Sequence, residues 1–207
     1  DYFFALLKHG GARRLVLSLG HLADQVLEHV RKMENSTLEI DWVIEPEPQG
    51  TAGALRLARS NLLSDPILVL NGDTWLTADF ESFLEKHKKR KMLASILSVF
   101  VQDTARYGRI EMAPSGTVKA FKEKEPSNHQ PGYINAGAIL LSQDALELLM
   151  ESKGPSLERD FLSSMPPESI GAEVDLDAKF VDIGTPESFA EAFDIISQTG
   201  IGPFQSY

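Results

Sequence analysis

The chain has no cysteine, which excludes a disulfide framework, a thiolate nucleophile and a zinc–thiolate centre. It is also short of cations: 20 Lys and Arg stand against 30 Asp and Glu, a net charge of −10. That balance argues against a nucleic-acid partner, because neutralising a phosphate backbone needs a basic surplus. Small anions remain open as ligands, since a few local cations or helix N-termini suffice for them. No apolar run approaches the length of a membrane span. The reading therefore expects no membrane partner and a cytoplasmic location.

At 207 residues the chain is long enough for one sizeable domain but not for two. The first ten residues form an amphipathic pattern, with Phe3, Leu6 and Leu7 on one helix face. Arg14–Leu19 reads as a strand, and Leu22, Val26, Leu27 and Val30 mark the face of a helix. Leu38, Ile40, Trp42 and Ile44 alternate with Glu39 and Asp41, as in a half-buried strand. A helix over 54–59, an apolar strand at Ile67–Leu70 and a polar helix over 79–90 follow. Alternating strands and helices of this kind predict an α/β fold: a Rossmann-like, doubly wound, mostly parallel sheet.

The second half differs. Ala94–Val101 is a strand with no helix directly after it, and Arg109–Met112 and 117–121 flank Pro114-Ser115-Gly116, a hairpin signal. Residues 133–141 form another apolar strand containing Gly137, and helices are expected over 143–151, 157–165 and 186–198. Lys179 to Ile183 is a short strand, and Thr185-Pro186-Glu187 opens the last helix with an N-cap and a proline at its first position. One domain over 1–207 is expected, an α/β part of about 1–92 carrying a hairpin-containing part of about 93–198.

Asn71-Gly72-Asp73 follows the four apolar residues Ile67–Leu70, which read as a strand buried on both faces. A carboxylate at the end of such a strand suits a hard cation with substrate phosphates; it equally suits a turn cap. Val181-Asp182-Ile183-Gly184 repeats the arrangement, and two strand-end carboxylates can share one Mg2+. Gln49-Gly50-Thr51-Ala52-Gly53 lies between strand and helix, so Gly50 admits a ligand to the backbone, or Thr51 caps the helix. Glu123-Lys124 offers an acceptor for sugar hydroxyls and a point charge for phosphate, or an ordinary solvated charge run. Asn135 interrupts an apolar strand, as a satisfied buried amide or a ligand contact would.

The ordered set resembles the sugar-1-phosphate nucleotidyltransferase family, over residues 1 to 198. The matching stretches are Glu45 to Gly53, Leu70 to Asp73, Arg106-Tyr107-Gly108, Phe121 to Lys124, Tyr133 to Gly137 and Val181 to Pro186. The resemblance implies Glu45, Pro48, Gly50, Thr51 and Gly72 for the nucleotide. It implies Gly108, Glu123, Asn135 and Gly137 for the sugar, and Lys124 for its phosphate. Asp73, Lys124 and Asp182 would be catalytic, with Asp73 and Asp182 holding Mg2+. The implied substrates are a nucleoside triphosphate, GTP favoured, and a sugar 1-phosphate, and a homo-oligomer is compatible with the reading. Ser156 to Phe161 resembles the guanylyltransferase branch acting on heptose or mannose 1-phosphate.

The family's first strand, its Gly-rich phosphate loop with an Arg, and a following Lys segment have no match in this sequence. The expectation is a piece of a longer protein. Two other readings fit the same residues: a non-catalytic nucleotide-sugar binding module, and a metal-dependent glycosyltransferase. The second gives no account of Glu123-Lys124 or of Asp182 to Thr185.

Overall fold

The computed structural model describes residues 2–32, 38–122, 124–127 and 129–197. In chain order the elements are α1 Tyr2–His9, β1 Arg14–Leu19, α2 Ala23–Lys32, β2 Glu39–Ile44, α3 Gly50–Ala58, β3 Ile67–Leu70, β4 Thr74–Thr77 and α4 Phe80–Arg90. Then come β5 Ala94–Val101, β6 Arg109–Met112, β7 Val118–Lys122, β8 Gly132–Leu141, α5 Gln143–Glu151, β9 Ile170–Val174, β10 Lys179–Asp182 and α6 Pro186–Ser197. Short 3-10 turns and one π turn at Leu157–Phe161 complete the set.

The α/β class holds, but the sheet is mixed rather than mostly parallel. Among the described strands, only β1–β2 and β5–β9 pair parallel. The central strand β8 runs antiparallel to β5 on one edge, and to β3 and β6 on the other. β1 and β2 form a ladder of their own, as do β4 and β10. The expected burial of Ile67–Leu70 on both faces is also corrected: among the described strands β3 pairs with β8 alone, and Leu68 is 38% exposed. A strand bonded along one edge, with one face lightly covered, leaves such a side chain in contact with water.

Period-2 alternation sorts β8 and β5 into two cores. Ile139 and Leu141 of β8 and Ile96 of β5 pack with Leu146 and Leu149 of α5, Phe161 and Leu162. Ile134, Ala136, Ala138 and Leu140, with Leu97 and Val99, face Leu76 of β4 and Phe83 of α4. A smaller cluster joins Leu6, Trp75, Val181 and Ala192, tying α1 and α6 to the β4–β10 ladder. Fully burying a leucine such as Leu149 contributes about 2 kcal/mol. No described helix is long and apolar enough to cross a membrane.

The expected helix over 157–165 is instead the π turn followed by a 3-10 turn at Leu162–Ser164. The same apolar positions, Leu157, Phe161, Leu162 and Met165, are nonetheless buried. β4 and β9 were not expected from the sequence.

His87 of α4 is 3% exposed and hydrogen-bonds Ser95 Oγ through Nδ1 at 2.8 Å. Burial pushes its pKa below the usual histidine value; Asp65 opposes that shift and Lys88 adds to it. The unfolded histidine therefore takes up a proton first, near pH 6.5. The stability His87 contributes is complete above that pH and is lost as pH falls. Thermal unfolding between pH 7.5 and 5 should show a shallower acid loss in His87→Gln; an unchanged slope would assign the acid sensitivity elsewhere.

Candidate active site

Asp73 and Asp182 are brought together by the register of β4 with β10. That register opposes Asp182 to Thr74, and the Ile183 N–H donates to the Asp73 carbonyl at 3.0 Å. Asp73 is exposed and Asp182 half-buried. Asp182 Oδ1 accepts from the Gly184 N–H at 2.8 Å, which anchors the carboxylate to the turn that follows it. Its Oδ2 accepts from Arg106 Nη2 at 2.9 Å. Arg106 also lies 5.8 Å from the centre of the Tyr107 ring, which makes a T-shaped pair with Phe180, ring centres 5.7 Å apart. Burial, with Asp182 adding to it, raises the Tyr107 phenol above its ordinary pKa.

Asn135 and Gly137, expected to meet the sugar, lie where two strands part. β3 bonds the edge of β8 at Ala138 to Leu141, and β6 meets the same edge at Ile134. Asn135 to Gly137 lie between, on the stretch of that edge that neither strand's register covers. Gly137 has φ +79°, and a Cβ there would sit 3.1 Å from Asn71 Nδ2. Glycine is thus required by the close approach of Asn71, whose N–H donates to the Gly137 carbonyl at 2.9 Å. Continuing the β6–β8 register places Gly108 beside Asn135. A Cβ on Gly108 would approach the Lys122 carbonyl to 3.0 Å. Lys124 is exposed just beyond β7, and Glu123 lies outside the described residues.

Three of the residues expected to meet the nucleotide fasten the fold. Glu45 accepts from Ser18 Oγ on one carboxylate oxygen and from the Gln49 N–H on the other, both at 3.0 Å. At Gly50 φ is +69°, and a Cβ would lie 2.5 Å from the Pro155 carbonyl oxygen. What approaches Gly50 is therefore Pro155, whose carbonyl also accepts from the Ala52 N–H at 2.8 Å. Thr51 Oγ1 accepts from the Leu157 N–H at 2.8 Å, and it does not cap α3, whose N-cap is Gln49. Pro48 and Gly72 are exposed.

A continuous series of contacts joins these groups. Thr51 binds the Leu157 N–H, Glu158 accepts from Asn135, Gly137 packs on Asn71, and Asp73 follows two residues later. Arg106 and Glu158 were not singled out from the sequence. Each bonds a partner distant in the chain, and Arg106 had only its place in Arg-Tyr-Gly as a signal.

The donor set of Asp73 and Asp182 is oxygen only, which suits a hard divalent cation completed by waters and phosphate oxygens. Among the described residues no group of three or more His, Asp or Glu side chains offers an all-protein cage.

The chain belongs to the nucleotidyl transferase family, whose model matches residues 1–199. It is 28% identical over 191 residues to a D-glycero-alpha-D-manno-heptose 1-phosphate guanylyltransferase of Aneurinibacillus thermoaerophilus, covering 92% of this chain and 81% of that protein. It is 30% identical over 187 residues to a mannose-1-phosphate guanylyltransferase catalytic subunit beta of Drosophila pseudoobscura pseudoobscura, covering 88% of this chain and 50% of that protein. The chain thus spans about half the length of the mannose-1-phosphate enzymes it matches. The crystal structure of HddC from Yersinia pseudotuberculosis superposes with a TM-score of 0.80 at 29% identity, over 96% of this chain and 84% of that one. The complex of HddC with GMP-PN gives 0.79 at 30% identity, over 93% and 84%.

Proposed function

We propose that the protein is a sugar-1-phosphate nucleotidyltransferase, using GTP and a mannose- or heptose-type sugar 1-phosphate. The products are pyrophosphate and a nucleotide sugar of the kind used in cell-surface polysaccharide synthesis, made in the cytoplasm. The observation that carries the reading is the β4–β10 register, which opposes Asp182 to Thr74, next to Asp73, and so brings two strand-end carboxylates to neighbouring positions. The names of the guanylyltransferase relatives, and the GMP-PN bound by HddC, support the choice of base.

In this mechanism an oxygen of the sugar phosphate attacks the α-phosphorus of GTP in line. The bond from that phosphorus to the β-phosphate oxygen breaks, and pyrophosphate leaves. No covalent enzyme intermediate forms, so catalysis is positioning and charge neutralisation. Asp73 and Asp182 would hold Mg2+, which supplies charge neutralisation at the phosphates. Lys124 holds the acceptor phosphate; Asn135, Gly108 and Gly137 line the sugar. Glu45, Pro48, Gly50, Thr51 and Gly72 shape the nucleotide side.

Pyrophosphate release tests the proposal on the full-length gene product, with four nucleoside triphosphates against mannose and heptose 1-phosphates. Release with GTP and at least one of these sugars is expected. No release from any pair, in a protein that still binds a nucleotide sugar, would leave a binding module in its place.

A further inference from the structure

Asn135 is held by both ends of its side-chain amide. Its Oδ1 accepts from the Gly137 N–H at 2.9 Å, and its Nδ2 donates to Glu158 Oε1 at 2.7 Å. An ionised carboxylate accepts only, and a backbone N–H donates only. The flipped amide would therefore set oxygen against carboxylate and NH2 against N–H, repulsive at both ends. One orientation survives. It leaves the half-buried Asn135 with one N–H and one oxygen lone pair for a ligand between β3 and β6.

The turn that carries Glu158 is held at several points. It lies in the π turn Leu157–Phe161, a geometry that is rare and frequent at functional sites. Ser156 Oγ accepts from the Arg159 N–H at 3.1 Å, and Asp160 Oδ2 accepts from the Ser156 N–H at 2.8 Å, closing the turn reciprocally. The hydrogen bonds from Arg159 and then from Ser156 hold the Asp160 carboxyl below its usual pKa. The Leu157 N–H, one residue before Glu158, is bound to Thr51 at the start of α3.

We propose that Glu158 is a positioning residue for the acceptor sugar, acting through Asn135: its carboxylate selects the amide orientation that presents the remaining N–H of Asn135 to a sugar hydroxyl. The proposal rests on the sugar-1-phosphate reading above. Glu158 is half-buried and outside the hydrophobic clusters, so its replacement leaves the core intact.

The test uses Glu158→Ala and Glu158→Gln, each measured in two ways. In turnover, Glu158→Ala should raise the KM for the sugar 1-phosphate by about tenfold or more, with the KM for GTP changed less than about twofold. Glu158→Gln should recover to within about threefold of the native KM, because its amide oxygen still accepts from Asn135 Nδ2. In 15N-resolved NMR, the Asn135 side-chain NH2 pair should shift in Glu158→Ala and stay close to native in Glu158→Gln. An unchanged KM for the sugar phosphate in Glu158→Ala overturns the proposal. Equal impairment of the two variants also overturns it, since the charge would then act directly. An Asn135 amide signal indifferent to Glu158→Ala does the same. Absence of pyrophosphate release from the unsubstituted protein counts against the functional reading alone, and the amide signal still decides the role of Glu158.

Discussion

Asp73→Asn is expected to lower kcat by about 10²- to 10³-fold while shifting the affinity for the sugar 1-phosphate by less than about threefold. The asparagine keeps the size and one acceptor oxygen of the aspartate, and the backbone link from the Ile183 N–H to the carbonyl of residue 73 does not involve the side chain. What disappears is a negative charge at an exposed strand end, the property a hard cation needs. Asp182→Asn should follow the same pattern with an added effect, since Arg106 loses its ion-pair partner. Steady-state kinetics at saturating Mg2+, paired with calorimetric binding of the sugar phosphate, separates the two parameters. Turnover of Asp73→Asn at the native rate would remove Asp73 and Asp182 as metal ligands.

Gly50→Ala carries the largest expected loss of stability. An L-residue at φ +69° costs about 1–2 kcal/mol. The added Cβ would also stand 2.5 Å from the Pro155 carbonyl oxygen, a main-chain atom that cannot rotate away. Separating Gly50 from Pro155 strains the bond from the Ala52 N–H to the same oxygen. The total should reach about 3 kcal/mol, and a thermal midpoint lower by roughly 6–12 °C. Gly20→Ala is the control, because nothing lies within 4 Å of a Cβ there. Its effect should stay within about 0.5 kcal/mol. If both variants unfold at the native midpoint, the close approach at Gly50 is not a constraint.

These two positions show what the residues disclosed and what they did not. Strands with long apolar runs, Ala94–Val101 and Gly132–Leu141, announced themselves, as did the capped helices Gln143–Glu151 and Pro186–Ser197. β4 did not, because four residues after a Gly-Asp turn carry too short a pattern to read. β9, Ile-Gly-Ala-Glu-Val, lacks alternation and contains a glycine. Parallel pairing was inferred from strand–helix order, yet β8 inserts antiparallel beside β3, a choice set by tertiary packing. Asp73 and Asp182 were legible as strand-end carboxylates, and the register supplied their proximity. Gly50 was legible as a special backbone position, but the neighbour demanding it, Pro155, lies far along the chain. The same distance hid Arg106 and Glu158, whose partners are 76 and 23 residues away.

The ties between α3 and the segment 152–157 impose a different kind of constraint. Arg56 reaches Ser152 Oγ and the Gly154 carbonyl, the Ala52 N–H reaches the Pro155 carbonyl, and the Leu157 N–H reaches Thr51. On the side of the segment, all but the first end on main-chain atoms. Replacing side chains such as Lys153 or Pro155 would leave most of these links in place. Adding or removing one residue would put every link out of step at once, and would carry Glu158 away from Asn135. Along this stretch the spacing constrains as much as the letters do: Gly154 at φ +99°, the capping Ser156 and the buried Leu157 are fixed by identity, and Lys153 and Pro155 by their place in the count.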